Sequence, residues 1–221
     1  MRCLNMYGRR GASPIAANTE RMMEFEAVIR TLADTRGVDD WVLRETRDEE
    51  VQAYVAGDRT ETIRRMEAVR WGGTVLNDHG GKRGMAAFHL TDGGDPPARV
   101  LADAVTMASL SDNPPFRLPA PGAYPAVEGV DADIARDPRE ALEVLLKQLG
   151  KGNLGAGVRL SSAEVFVRRR RTRIANSRGV RGEREGTEVY VEAVLTAAAG
   201  GEEAEHFYSQ RFRRVVDASL G

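Results

Sequence analysis

The segment from Ser162 to Ala197 constrains the fold more than any other part of the sequence. It holds runs rich in β-branched and aromatic residues on either side of Asn176-Ser177-Arg178-Gly179 and of Gly186. Asn and Gly tolerate the positive φ angles that tight turns require. The pattern therefore predicts strands joined by tight turns in a curved antiparallel sheet.

Consecutive arginines, Arg168 to Arg171, lie in the first of these runs, and Arg173 follows two positions later. Clustered guanidinium groups can neutralise phosphates, so binding of nucleic acid is one interpretation, and binding of an acidic peptide is another. A strand, however, directs successive side chains to opposite faces, and no aromatic residues alternate with these arginines as on base-stacking surfaces. We therefore favour a solvated strand face or a subunit contact.

The charge and cysteine content narrow the class of protein. The net charge is −1, so any attraction to nucleic acid or to an anionic membrane must be local. Cys3 is the only cysteine, which excludes a disulfide within the chain and fits a reducing compartment. No apolar run approaches the roughly 20 residues of a membrane-spanning helix. We expect a cytoplasmic protein with residues 1–18 as a disordered lead-in.

Residues 19–111 are predicted to form an N-terminal α+β domain. A helix begins at Asn18 or Thr19 and ends at Gly37, and a second begins at Asp95-Pro96-Pro97. Between them, short apolar runs separated by the links Arg47-Asp48-Glu49 and Gly57-Asp58 and by a Gly-containing turn predict a meander of about five strands. Helices and an antiparallel sheet in this order are typical of an α+β layer arrangement.

Residues 112–157 combine a Pro-rich extended strap, a helix that begins at Asp137-Pro138 and a Gly-rich linker. The linker lacks the Gly-Lys-Ser/Thr ending of a phosphate-binding loop and follows a helix instead of a strand. Residues 158–221 are predicted to form a partial middle β domain, a second curved antiparallel sheet segment that ends in a helix over Glu202–Val216.

The strand, the turn Ile174-Ala175-Asn176-Ser177-Arg178-Gly179-Val180 and the second long strand resemble the middle domain of the TldD/PmbA family. These proteins are zinc metallopeptidases once called modulators of gyrase. The order of elements before it resembles the family's first domain, including the strand with Arg44-Glu45-Thr46-Arg47-Asp48-Glu49 and the turn with Asp78 and Gly80. The resemblance spans roughly Glu20 to Leu220, and it implies that the family's C-terminal metal domain is absent from this sequence.

In the catalytic members, a helical His-Glu-x-x-x-His pair and a Cys bind zinc, and no residue of this sequence matches them. Two histidines one helical turn apart can reach one metal, but His79, His89 and His206 form no such pair. Glu202 and His206 would share a helix face, which we interpret as a solvated helix end, and His79 is placed in a turn. We therefore predict no catalytic, cofactor or metal residue in this chain, and the resemblance implies zinc in a full-length partner.

The resemblance implies a non-catalytic, metal-free subunit that partners a zinc-bearing TldD-like subunit in proteolysis or peptide maturation. Its predicted contacts with a peptide or with the partner are Arg168, Arg169, Arg170, Arg171, Arg173 and Asn176. The alternatives are an Arg-rich binding module for nucleic acid or an acidic protein, and an inactive truncated family member. No membrane contact is expected.

Overall fold

The computed structural model describes residues 23–149 and 154–218. Their elements, in chain order, are α1 (Phe25–Asp34), β1 (Asp40–Ala56), β2 (Arg59–His79), β3 (Lys82–Leu90), α2 (Pro97–Ala108), α3 (Ala132–Arg136), α4 (Pro138–Leu149), β4 (Val158–Asn176), β5 (Arg181–Ala199), β6 (Glu202–Phe212) and a 3₁₀ turn (Val215–Asp217). The predicted α+β class is confirmed.

All six strands form one antiparallel sheet in the order β3-β2-β1-β4-β5-β6. The predicted five-strand meander consists of three long strands, because the charged residues 47–49, expected to be a connection, lie within β1. The two sheets predicted separately are one, because β1 pairs with β4 from Val42↔Asn176 to Ala56↔Ser162. The division into domains 19–111 and 158–221 stays a prediction.

The helices cover one face of the sheet in two places. At one end, α1 and α2 pack on a cluster that includes Trp41, Leu43 and Trp71. At the other end, α3 and α4 pack on a cluster that includes Val51 and Ala53. Successive strand residues alternate between faces, so these odd-numbered β1 residues share one face. Between the two clusters that face is charged, and it carries residues such as Glu45.

The predicted C-terminal helix is wrong. Residues Glu202–Phe212 form β6, which pairs with β5 along Val189–Ala199. Gly200 and Gly201 both adopt positive φ angles and close a two-residue hairpin, so strand pairing overrides the local helical pattern. Four residues along a strand span about 13 Å, and Glu202 and His206 therefore cannot share a metal ion.

The remaining predictions of turns and helices have different outcomes. Gly186, predicted at a turn, lies inside β5 opposite Arg170, whereas the turn after Asn176 is present. The predicted helices that begin near Pro97 and Pro138 are confirmed as α2 and α4. The predicted lead-in and residues 150–153 of the linker lie outside the described residues. The first helix, predicted to begin at residue 18 or 19, begins at Phe25, because Glu24 is extended.

Candidate functional site

Residues 112–130, which we call the strap, are extended without regular secondary structure, as predicted, and hydrogen bonds fix them to the sheet along their length. Asn113 pairs with the backbone of Arg83 on β3. The carbonyl of Pro119 accepts a 2.9 Å hydrogen bond from Nδ2 of Asn176. The carbonyl of Gly129 accepts a 2.9 Å hydrogen bond from the backbone N–H of Thr187 on β5. Between the last two points the strap arches over the end of the β4–β5 hairpin.

A groove of about 790 Å³ lies between the strap and the sheet. Its volume is in the range of ligand-binding clefts, about 300–1,000 Å³. Apolar side chains dominate the walls, with Val42, Ile174 and Val180 from the sheet side and Tyr124, Val127 and Val130 from the strap. Even-numbered Val42 and Ile174 belong to the face opposite the helices. The groove therefore lies on the face that the helix clusters leave open.

Asn176 is the predicted contact residue that lies in the groove wall, and it is buried. Its Oδ1 accepts 3.0 Å hydrogen bonds from the backbone N–H groups of Arg178 and Val180, while its Nδ2 binds the strap. Gly179 completes the turn at φ 89°, a left-handed conformation that favours glycine. Asn176 thus fixes both the hairpin turn and one end of the strap.

An open strand edge borders the groove. The pairing of β5 with β6 begins at Val189, so residues 181–188 of β5 pair only with β4 among the described strands. The N–H of Thr187 points away from β4 to reach the strap. Because backbone direction alternates along a strand, the N–H and C=O groups of Glu185 and Glu183 point to the same open edge. Both residues line the groove.

The predicted arginine contacts on the open face are paired within the chain. Arg168 donates to Glu50 at 2.8 Å and to Glu188 at 2.9 Å. Arg170 donates to the buried Asp48 at 2.5 Å, and this hydrogen bond raises the pKa of Arg170. These ion pairs neutralise the arginines, so a phosphate could bind them only by displacing a carboxylate.

The arginines on the helix-covered face are paired in the same way. Their partners are Glu185 for Arg169, Glu183 for Arg171 at 2.6 and 2.8 Å, and Glu45 for Arg173. The hydrogen bonds from Arg171 lower the pKa of Glu183. Arg169 and Arg171 therefore do not line the groove, but from the opposite face they hold the side chains of Glu183 and Glu185, the two residues of its open edge.

The carboxylate partners of these arginines were not predicted from the sequence. Glu45, Asp48 and Glu50 belong to a charged run predicted partly as a connection, but they lie in β1, antiparallel to β4. The register places Asp48 opposite Arg170 and Glu50 opposite Arg168. The charges of β1 and β4 follow a complementary order, and this order was the available signal in the sequence. It could be used only if the two strands were already known to be neighbours.

His79 lies near a second charged cluster, at the β2–β3 turn. Its Nε2 is 3.2 Å from a carboxylate oxygen of Asp112, and its Nδ1 is 3.1 Å from Oδ1 of Asn77. The neighbouring guanidinium of Arg83 is buried between Asp78 and Asp40, and its hydrogen bond lowers the pKa of Asp78. In residues 23–149 and 154–218, no group of three or more His, Cys, Asp or Glu side chains could hold a metal ion.

Within the described part of the chain, no helix is long and apolar enough to cross a membrane.

No family model matches the sequence, and no curated protein matches it. Solved structures do match. TldE from Thermococcus kodakarensis superimposes with a TM-score of 0.63 at 17% identity, covering 86% of this chain and 43% of that one. A modulator of DNA gyrase from Thermotoga maritima superimposes with a TM-score of 0.65 at 14% identity, covering 88% of this chain and 45% of that one. The chain has the TldD/PmbA fold.

A modulator of DNA gyrase from Bacteroides thetaiotaomicron gives a TM-score of 0.61 at 12% identity, covering 87% of this chain and 45% of that one. The TldD/PmbA resemblance predicted from the sequence is thus confirmed as a likeness of fold. The chain spans less than half the length of these three proteins.

Proposed function

We propose that this chain is a non-catalytic, metal-free subunit that partners a zinc-bearing TldD-like metallopeptidase in proteolysis or peptide maturation in the cytoplasm. The observation that carries the proposal is the shared fold, which extends over 86–88% of the chain. The groove beneath the strap supports it, because an apolar cleft beside an open strand edge is suited to an extended peptide.

In this proposal, a peptide segment adds to the open edge of β5 next to Glu183 and Glu185. Backbone hydrogen bonds would supply affinity for many sequences, and the apolar walls would accept alternate side chains. Arg169 and Arg171 would act from the opposite face, by fixing Glu183 and Glu185 and thus the backbone of the open edge. The partner would contact Arg168, Arg170 and Arg173. These arginines would then exchange their present ion pairs for ion pairs with carboxylates of the partner.

The partnership is tested by co-expressing the chain with a full-length protein that carries the His-Glu-x-x-x-His motif and comes from the same genome. We expect the two chains to co-elute at a fixed ratio with zinc, and cleavage of unstructured peptides to increase over that of the zinc protein alone. A chain that elutes alone and leaves cleavage unchanged would contradict the proposal.

The groove is tested by comparing Glu185→Pro with Glu185→Ala in that complex. Proline removes the outward N–H but leaves the β4 ladder intact, as is tolerated on edge strands. Alanine removes the carboxylate that Arg169 holds but keeps the N–H. Since one hydrogen bond contributes about 1 kcal/mol, we expect Glu185→Pro to raise the KM for an extended peptide about fivefold beyond Glu185→Ala.

Glu203→Pro and Glu203→Ala, on β6 away from the groove, provide the matched control pair. Equal KM values for the two Glu185 variants would show that the open edge of β5 does not bind the peptide. Circular dichroism of each variant verifies that the sheet is retained.

A further inference from the structure

A second open edge lies on β2, on the other side of the sheet. Residues Thr62–Arg70 of β2 pair with β1, but β3 pairs only with Trp71–His79, so no described strand covers their outer side. We call Thr62–Arg70 the window. At its other end it is limited by a β-bulge, where the register changes from Tyr54↔Thr62 to Val55↔Thr60 and leaves Glu61 unpaired. The middle residue of this window is Met66.

The backbone groups that face this edge follow from the register. The carbonyl of Trp41 accepts from the N–H of Ser177, so odd-numbered β1 residues point towards β4 and even-numbered ones towards β2. Even-numbered β1 residues face even-numbered β2 residues, as in Glu50↔Met66. The N–H and C=O groups of the odd-numbered residues therefore point outward, and these are Ile63, Arg65, Glu67 and Val69.

The side chains along the window are self-complementary. Two identical antiparallel strands pair around a two-fold axis that places one residue opposite its own copy. With the axis at Met66, Arg65 lies opposite Glu67 of the second copy, and Ile63 lies opposite Val69. Met66, whose side chain is 47% exposed, then contacts its own copy.

Other positions of the axis are unfavourable. An axis at Arg64, Arg65 or Glu67 places like charges directly opposite each other, which destabilises strand pairing. An axis at Thr62 or Ile63 runs the pairing through the bulge at Glu61. An axis at Ala68, Val69 or Arg70 places a residue of the second copy opposite Trp71, where β3 already occupies the edge. We propose that two copies of this chain associate through the Thr62–Arg70 edges of β2, antiparallel and with the two-fold axis at Met66, joining their sheets into one.

The bulge has a role in this arrangement. With the axis at Met66, Glu61 of one copy lies opposite Trp71 of the other, where β3 already occupies the edge. A bulge bends its strand and increases the local twist. The bulge at Glu61 therefore interrupts the regular edge of one copy at the point where it would meet β3 of the other.

Cysteine pairing tests the axis directly, in a Cys3→Ser background. Met66→Cys forms a pair without hydrogen bonds between its backbone groups, with Cα atoms about 4.5 Å apart, within the range of a disulfide. Arg64→Cys is the matched control, because Cys at this position lies opposite Ala68 of the second copy and more than about 13 Å from its own copy. We expect mild oxidation to convert most of Met66→Cys, and little of Arg64→Cys, to a covalent dimer on a non-reducing gel.

Sedimentation of the full chain supplies the second measurement. We expect a dimer that Met66→Lys weakens at least tenfold, because two ammonium groups would then meet at the axis. Met85→Lys, at a similarly exposed methionine on β3, should leave the dimer unchanged.

A monomeric chain at all concentrations, or equal crosslinking of the two cysteine variants, would overturn the proposal. Neither result depends on the zinc-bearing partner or on the groove, so this inference and the proposed function fail independently.

Discussion

At the scale of single residues, Glu45 shows how the sheet tolerates charge in its interior. It is 1% exposed, and its carboxylate accepts from the guanidinium groups of Arg173 and Arg47. A buried carboxylate is costly unless it is paired and hydrogen-bonded. Arg173 also lies 4.3 Å over the ring of Phe25, which ties this ion pair to α1. Glu45 therefore connects the charged middle of the face to the cluster under α1 and α2.

We expect Glu45→Gln to lower the free energy of unfolding by about 2 kcal/mol, because it leaves the guanidinium of Arg173 without its counter-charge. Urea denaturation measures the change. Glu49→Gln is the control, since Glu49 is more exposed and pairs with the exposed Arg65, and should cost less than about 1 kcal/mol. Equal losses for the two variants would show that burial of Glu45 does not determine its contribution.

At the scale of elements, the contact of α2 with β3 depends on the absence of a side chain at Gly84. A Cβ atom at this position would collide with the carbonyl group at Ala108, the last residue of α2. The obstructing atoms are backbone, so α2 itself would have to move. Ala108 and Leu101 of the same helix are fully buried in the cluster with Trp41 and Trp71.

We expect Gly84→Ala to destabilise the protein by about 1–3 kcal/mol, the usual cost of overpacking. Gly122→Ala in the strap is the matched control and should be neutral, because among the described residues other than its two chain neighbours no atom lies within 4 Å of the added Cβ. Thermal unfolding followed by circular dichroism compares the two. Gly84→Ala with wild-type stability would mean that α2 is free to shift on β3.

The individual helices and strands differ in whether the sequence could predict them. The helices at Pro97 and Pro138 were recoverable because proline near a helix start and periodic apolar residues are local signals. The β6 strand was not, because its exposed residues are held by the neighbouring β5 and by the Gly200-Gly201 turn. The groove depends on hydrogen bonds from Asn176 to Pro119 and from Thr187 to Gly129, which join residues more than 50 positions apart. Asn176 itself was identified because an Asn-containing turn is a local signal.

At the scale of the whole molecule, one sheet connects core clusters that lie at its two ends. Trp41 and Trp71 lie in the cluster under α1 and α2, whereas Leu142 of α4 lies fully buried in the cluster at the other end. Strand β1 contributes residues to both clusters, and its pairing with β4 is continuous between them. Partial unfolding of either end would break that pairing in the middle. We therefore expect the sheet to unfold as one cooperative unit, whatever the division of the sequence into domains.

Leu142→Ala tests this cooperativity because it acts at a distance from both tryptophans. Removing the leucine side chain from a closed core should cost about 2–5 kcal/mol. If the sheet unfolds as one unit, the urea midpoint measured by tryptophan fluorescence shifts by the same amount as the midpoint measured by far-ultraviolet circular dichroism. Leu101→Ala, in the tryptophan cluster, is the matched variant and should also move both midpoints together. An unchanged fluorescence midpoint in Leu142→Ala would show instead that the two ends of the sheet unfold independently, as the predicted domains would.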